Sequence, residues 1–158
     1  RHASHLVAVS ELNQITSAQP KLFAAARVSE DLRKSGGYHP DKAALWARLL
    51  EGDKALAALG TRFPTMYDSP PAGFGEMLLQ SQTGAIDLLP ALPTSWEKGE
   101  ILGLRARGGY EVDIRWANHK LTDATIRSLT GSIPRVEVAN QIVALKSDRR
   151  IHLVLGSL

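Results

Sequence analysis

Cysteine is absent from this chain of 158 residues. A disulfide framework and a thiolate metal site are therefore excluded, and cysteine usage gives no information on the redox compartment. No apolar run approaches the roughly 20 residues that a membrane-spanning helix needs, so no membrane partner is expected. The first residues, RHASHLVAVSELNQ, lack the apolar core and cleavage site of a signal peptide. Because the chain starts at Arg1 rather than Met, we expect a piece of something longer.

An excess of charge of one sign is also missing. Residues 1–83 carry nine Lys or Arg against eight Asp or Glu, and residues 84–158 carry ten against eight. With 44% hydrophobic and 22% charged residues, the composition is that of an ordinary globular protein. No basic stripe results, so no nucleic-acid partner is expected. The single RARGG segment is typical of a strand end and turn, and we expect Arg105 and Arg107 to serve packing or solvation.

Residues 1–83 have the hydrophobic periodicity of helices. Apolar residues recur at helical spacing after Pro20, and DKAALWARLLEGDKALAAL predicts one amphipathic helix after Pro40, weakened at Gly52. A short amphipathic helix is predicted at Glu76–Gln82.

From Gly84 the hydrophobic period changes to two. Alternation predicts a strand over Tyr110–Trp116 with one buried face, and ANHK predicts a hairpin turn into LTDATIRSL. Further short strands are predicted at 136–139, 141–145 and 151–155. We therefore expect an α+β fold of two units, a helical unit at 1–83 and a small antiparallel β-sandwich at 84–158.

Short motifs give weak signals for chemistry. The chain has no P-loop, dinucleotide fingerprint, G-x-S-x-G elbow or H-E-x-x-H motif. YHPDK contains the His-Pro-Asp tripeptide of J-domain cochaperones, but Gly36 and Gly37 interrupt the basic helix that should precede it. His2 and His5 have the spacing of one helix face and could hold a metal, yet no third ligand is evident, so neither a metal nor a cofactor is expected.

Three carboxylates, Asp68, Glu76 and Asp87, lie nearest the change of period. No pattern selects from them the spaced pair that acid–base hydrolysis of a glycoside usually needs. The helix dipole explains Glu76 equally well, and a polar strand position explains Asp87.

Four blocks of the sequence are shared with a known family. They are RHASHL at Arg1–Leu6, NQIT at Asn13–Thr16, LWARLLEGDKA at Leu45–Ala55, and the long segment from GEMLLQSQTGAIDLLPALP to DIRW, which ends at Trp116. Together they resemble the C-terminal part of the glycoside hydrolase family 95 α-L-fucosidases. The resemblance implies helices from the end of an (α/α)6 toroid followed by a small β-sandwich. It also implies a family that removes terminal α-1,2-linked L-fucose, or in some members L-galactose, with inversion.

The family's catalytic residues lack counterparts in this sequence. The segment with the family's catalytic Asp would fall between Pro71 and Ala72, and Ser69 stands where the family has a histidine that lines the sugar site. The general acid and the water-holding asparagines belong to segments that precede the counterpart of Arg1. Among the sugar-contacting positions only Arg1 and His2 are kept, so the resemblance implies them as substrate-binding residues and implies no catalytic residue.

We therefore expect a C-terminal fragment or truncated relative of an α-L-fucosidase-like glycoside hydrolase, inactive alone, since a catalytic acid or base commonly contributes about 10²–10⁴-fold. The alternative is a noncatalytic carbohydrate-binding or assembly module, in which an exposed Trp96 would stack on a sugar while Tyr110 and Trp116 lie in the core. The expected partners are a fucosylated glycan, the rest of the same enzyme or a second copy. If the chain follows the family, its compartment is secreted or periplasmic.

Overall fold

Helices precede strands along the chain, as the change of hydrophobic period predicts. The computed structural model describes residues 6–33, 40–60, 72–138, 141–143 and 151–153. The helices are α1 Val7–Ser10, α2 Pro20–Asp31, α3 Pro40–Arg48, α4 Gly52–Leu59 and α5 Ala72–Leu78. The strands are β1 Leu79–Gln80, β2 Ala85–Leu88, β3 Gly99–Ala106, β4 Tyr110–Ala117, β5 Lys120–Ser128, β6 Arg135–Val138, β7 Gln141–Val143 and β8 Ile151–Leu153. The architecture is therefore α+β. None of the described helices has both the length and the apolar character needed to cross a membrane.

The single helix predicted after Pro40 is wrong, because α3 and α4 are separate helices. The N–H of Glu51 donates to the carbonyl of Trp46 at 2.9 Å, and that of Leu50 donates to Ala47 at 3.0 Å. With Leu50 at φ 61, this is the bond pattern of a Schellman motif. Glycine usually takes that left-handed position, so a leucine there gave no stop signal in the sequence.

Gly52 begins α4 at a point where two backbones meet. A Cβ atom at this position would lie 2.3 Å from the carbonyl oxygen of Ala91, which is closer than any real contact. The glycine is therefore required by the close approach of α4 to the segment after β2, and not merely tolerated within a helix.

The strands form two four-stranded sheets: sheet A with order β1-β2-β6-β7, and sheet B with order β3-β4-β5-β8. Sheet B is antiparallel throughout, but sheet A is mixed because β2 and β6 run parallel. The expectation of purely antiparallel pairing is thus wrong for β2 and β6. These two strands can pair only after β3, β4 and β5, which lie between them in the sequence, have been made.

The predicted helix at Glu76–Gln82 is also wrong, since α5 ends at Leu78 and Leu79 already pairs with Leu88.

The predicted hairpin turn between β4 and β5 is confirmed. Asn118 and His119 have φ values of 53 and 59, and a two-residue turn with both residues left-handed is the type I′ turn that suits twisted antiparallel strands. The His119 ring nitrogen Nε2 lies 2.7 Å from the carbonyl oxygen of Thr94, and the His119 N–H donates to Glu97 at 3.0 Å. The turn is thereby tied to the loop before β3.

Two hydrophobic clusters fill the interior and meet at shared aromatic residues. One cluster joins the inner faces of both sheets, with Val112, Ile114 and Ile126 fully buried, and the other joins the helices. Phe74 and Trp96 pack against both, with ring centroids 5.3 Å apart. Each fully buried aliphatic side chain stabilises the fold by roughly 1.5–3 kcal/mol.

The outer face of sheet B carries cross-strand ion pairs made by three arginines. Arg127 donates to Glu111 at 3.0 Å and also to Asp113, and Arg115 donates to Glu100 at 3.1 Å. Arg105 contacts Glu111 at 2.9 Å while remaining 65% exposed. Such exposed pairs contribute about 0–1 kcal/mol each, and opposite charges placed across strands favour the native register.

Candidate functional site

A cleft of about 290 Å³ lies between sheet A and the loop that follows α1. We call it the junction cleft. Its sheet wall includes Gln80, Asp87, Arg135 and Glu137, and its facing wall includes Val9, Asn13, Ile15, Phe23 and Arg48. Its volume is at the lower end of the roughly 300–1,000 Å³ typical of ligand pockets.

Strand register places three polar side chains in one row along the sheet wall. Gln80 of β1 pairs with Asp87 of β2, and Asp87 pairs with Glu137 of β6. Paired positions on adjacent strands project to the same face of a sheet. Neighbouring residues along the strands, including Leu79, Leu88 and Val136, are buried in the hydrophobic cluster between the sheets. The polar row therefore faces the cleft.

Asp87 is the residue whose charge is most affected by the cleft. Its Oδ1 atom is buried and accepts no hydrogen bond within the part of the chain that the structure describes. Burial, followed by the nearby charge of Glu137, raises the pKa of Asp87 from 3.8 to about 6. Both effects disfavour the ionised carboxylate.

The neighbours of Asp87 are held by bonds to other groups. Arg135 contacts Glu137 at 2.7 Å. The side-chain amide of Gln80 donates to the carbonyls of Ala47 at 2.9 Å and Glu76 at 3.0 Å. Its oxygen accepts from the amide of Gln82 at 3.0 Å. Gln80 is thus anchored to the helices, which fixes the edge of the sheet against α3 and α5.

Arg48 of α3 lines the junction cleft and connects α3 to three other parts of the chain. Its guanidinium donates to the carbonyl of Ser10, to Oδ1 of Asn13 at 2.9 Å and to Oε1 of Glu76 at 3.0 Å. The sequence left Glu76 open as a candidate carboxylate, and the structure places it in this ion pair. Its role is to hold α5 against α3 and the α1–α2 loop.

The site residues implied by the family resemblance, Arg1 and His2, lie outside the described residues. The same is true of His5, Asp68 and Ser69, and of the histidine in the YHPDK motif. Among the described residues there is no group of three or more His, Asp or Glu side chains that could hold a metal ion.

Sequence reasoning named Asp87 but missed Glu137 and the cleft that they share. Their pairing depends on a parallel contact between strands that are far apart in sequence. Alternation within each strand does not reveal which distant strand lies beside it. A polar residue within an otherwise buried strand, AIDL, was the one local signal.

The aromatic residues considered for sugar stacking are packed instead. Tyr110 and Trp116 are buried, which confirms their prediction as core residues. Trp96 is half-buried between the two hydrophobic clusters, and its carbonyl accepts a hydrogen bond from the Trp116 indole at 2.9 Å. These three rings therefore do not form an exposed platform.

A second opening of about 330 Å³ is lined by residues that include Glu76, Arg105 and Arg107. Arg105 is already paired with Glu111, and the backbone N–H of Arg107 donates to the Ser81 hydroxyl at 3.0 Å. Arg105 thus forms an exposed surface pair, in agreement with the expectation for it, while the backbone of Arg107 joins the residue after β3 to the turn after β1.

Comparison with known proteins identifies the class to which this architecture belongs. Residues 80–155, which include sheet A's polar row and all of β3 to β8, match the model described as glycoside hydrolase family 95, C-terminal domain. Residues 80–155 of the chain thus belong to glycoside hydrolase family 95 as its C-terminal domain.

One named relative extends the similarity into the helices, because its match covers more of the chain than residues 80–155. Alpha-L-fucosidase 2 of Arabidopsis thaliana is 35% identical over 156 residues, covering 78% of this chain and 18% of that protein. The probable alpha-fucosidase A of Aspergillus oryzae (strain ATCC 42149 / RIB 40) is 41% identical over 51 residues, covering 32% of this chain and 7% of that protein. The chain thus spans about a fifth of the length of the first of these relatives.

Proposed function

We propose that this chain is the C-terminal part of an α-L-fucosidase-like glycoside hydrolase. In this proposal, residues 1–83 supply the last helices of an (α/α)6 toroid, and residues 84–158 form the β-sandwich that supports it. The enzyme's substrate would be a terminal α-L-fucoside of a glycan, with Arg1 and His2 contacting the sugar. The similarity to one protein named alpha-L-fucosidase and one named probable alpha-fucosidase supports the substrate class.

An exposed apolar stripe on α2 is the observation that carries the architectural part of the proposal. Leu22, Val28 and Leu32 are 55%, 57% and 75% exposed. Residues three, four and seven positions apart lie on one side of a helix, and these three share one face with Ala25. The opposite face of α2 packs into the helical cluster through Phe23 and Ala26.

A helix that is apolar on two sides is normally covered on both. Contiguous exposed apolar surface marks a site of protein contact. We propose that further helices of a toroid cover this stripe, because they would present apolar faces to the apolar stripe of α2. A second copy of the chain would cover the same stripe if those helices were not present.

We propose further that the chain does not hydrolyse an α-L-fucoside by itself. Inversion needs an acid and a base on opposite sides of the sugar, with carboxyl groups about 6.5–9.5 Å apart. Asp87 and Glu137 project to one side from strands that are about 4.8 Å apart. Glu76 is engaged by Arg48. The described carboxylates at the junction are thus poorly arranged for inversion.

Release of L-fucose from 2′-fucosyllactose by the purified chain tests this proposal. We expect no release above the uncatalysed background. The matched control is Asp68→Ala, because Asp68 is the nearest substitute for the base in the sequence. Turnover that this substitution abolishes would identify Asp68 as a relocated base, and turnover that persists in the variant would equally reject an inactive chain.

A further inference from the structure

The junction cleft has a polar sheet wall and a facing wall that is partly apolar. The polar wall is the row on sheet A, with Asp87 and Glu137 at its centre. Val9, Ile15 and Phe23 bring apolar side chains to the facing side, beside the polar side chains of Asn13 and Arg48. A ligand that fills this space needs hydrogen-bonding groups on one edge and carbon-bound hydrogen on the other.

The polar wall contains a buried acceptor that no described donor satisfies. Oδ1 of Asp87 is buried without a partner among the described residues. The two guanidinium groups that border the cleft are already engaged, Arg48 with Asn13 and Glu76, and Arg135 with Glu137. A carboxylate without a donor loses the solvation that it has in water, so a ligand that brings donors to Asp87 would bind favourably.

The charges around the cleft indicate that the ligand is neutral. The charged residues that line the cleft are two carboxylates, Asp87 and Glu137, and two guanidinium groups, Arg48 and Arg135. The formal charges of this lining cancel, so neither a cation nor an anion gains from a net field. Hydroxyl groups donate and accept without carrying charge, and they are the group that suits a carboxylate in such surroundings.

We propose that the junction cleft binds one neutral monosaccharide unit, with Asp87 and Glu137 accepting hydrogen bonds from its hydroxyls and Phe23 and Ile15 contacting its carbon face. A volume of about 290 Å³ accommodates a single sugar ring. The residues of this site differ from Arg1 and His2, so sugar binding in the cleft and hydrolysis of a fucoside are separate properties. Binding is measured without turnover, and each proposal can fail while the other stands.

Titration of the ¹⁵N-labelled chain with L-fucose, D-galactose and D-glucose tests the site by NMR. We expect at least one of the three sugars to shift the backbone amides of Gly84, Ala85 and Glu137. Ethylammonium chloride, compared with sodium chloride at equal ionic strength, should leave these amides unchanged. Asp87→Ala should weaken binding about tenfold or more, which is the typical effect of losing a hydrogen bond to a charged group.

Asp123→Asn is the matched control, because Asp123 lies on β5 outside the cleft and contacts only Arg115, at 3.9 Å, among the ion pairs described for it. It should bind sugar as the unsubstituted chain does. If Asp87→Ala fails to give a dispersed spectrum, Asp87→Asn and Glu137→Gln take its place, each with an expected loss of affinity. The proposal is overturned if no sugar shifts the cleft amides, if ethylammonium shifts them instead, or if all folded cleft variants bind as tightly as the original chain.

Discussion

Asp87 and Glu137 occupy paired positions on the parallel strands β2 and β6, and both face the junction cleft. Like charges placed opposite each other across strands are destabilising. Arg135 compensates Glu137 at 2.7 Å, but the buried oxygen of Asp87 has no partner among the described residues. A carboxylate kept in such a position lowers stability, and perturbed pKa values of this kind are concentrated at functional sites.

Replacement of Asp87 by asparagine should stabilise the protein above pH 6. The pKa of Asp87 is raised from 3.8 to about 6, so the folded state binds more protons than the unfolded state between these values. The free energy of unfolding therefore decreases as the pH rises from about 4 to about 6. Above pH 6 the whole destabilising effect of the ionised Asp87 is present. Allowing for partial exposure, we expect Asp87→Asn to raise the free energy of unfolding by about 1–2 kcal/mol at pH 7.5.

Urea denaturation at pH 4 and pH 7.5 checks this expectation. The gain from Asp87→Asn should shrink toward zero at the lower pH, because the carboxyl is then protonated and resembles the amide. Asp123→Asn serves as control and should show no comparable change between the two pH values. A gain of equal size at both would mean that the effect does not come from ionisation of Asp87.

Replacement of Arg127 by glutamine should raise the pKa of Asp113. The hydrogen bond from Arg127 is the largest cause that lowers this pKa, and burial opposes it only in part. Because the pKa of Asp113 is lowered in the folded protein, its carboxylate stabilises the fold at pH values above the ordinary pKa of an aspartate. This stabilisation is lost as the pH falls through the pKa of the folded state, so Arg127→Gln should shift the loss to higher pH. NMR titration of the Asp113 side-chain carboxyl carbon measures the shift directly. Arg115→Gln should have a smaller effect, and an equal one would contradict the assignment to Arg127.

Gly52→Ala and Gly75→Ala should affect stability in opposite directions. A Cβ at Gly52 would lie 2.3 Å from the Ala91 carbonyl oxygen, whereas a Cβ at Gly75 would meet no atom within 4 Å. We expect Gly52→Ala to destabilise by about 1–3 kcal/mol through overpacking. Gly75→Ala lies in α5 and should stabilise by up to about 1 kcal/mol through helix propensity. Thermal unfolding compares the two, and a stable Gly52→Ala variant would show that α4 does not depend on this close approach.

Polar substitution of the α2 stripe should reduce self-association without loss of stability. Leu22→Gln combined with Leu32→Lys removes exposed apolar area, and surface changes of this kind usually alter stability by less than about 0.5 kcal/mol each. Sedimentation velocity over a range of concentrations measures the effect. Leu102→Gln is the control, because Leu102 is 62% exposed on β3, away from the stripe. If Leu102→Gln reduces self-association as strongly as the double variant does, the α2 stripe is not the contact surface.

Local pattern identified those elements whose signal lies within a few neighbouring residues. The alternation of YEVDIRWA predicted β4 and its buried face, and ANHK predicted the turn to β5, because side-chain period and turn chemistry are both short-range properties. The break between α3 and α4 was missed because a leucine takes the left-handed position that glycine usually marks.

The sequence by itself determined the α+β composition, the core positions of Tyr110 and Trp116, and the family, because each depends on local order or on matched residues. Only the tertiary structure decided that Glu137 lies beside Asp87 and that Glu76 is bound to Arg48. These contacts join segments separated by many residues. They form when the whole chain folds and its apolar faces are buried together. The apolar pattern of a single strand or helix shows which face will be buried, but it does not show which other segment will cover that face.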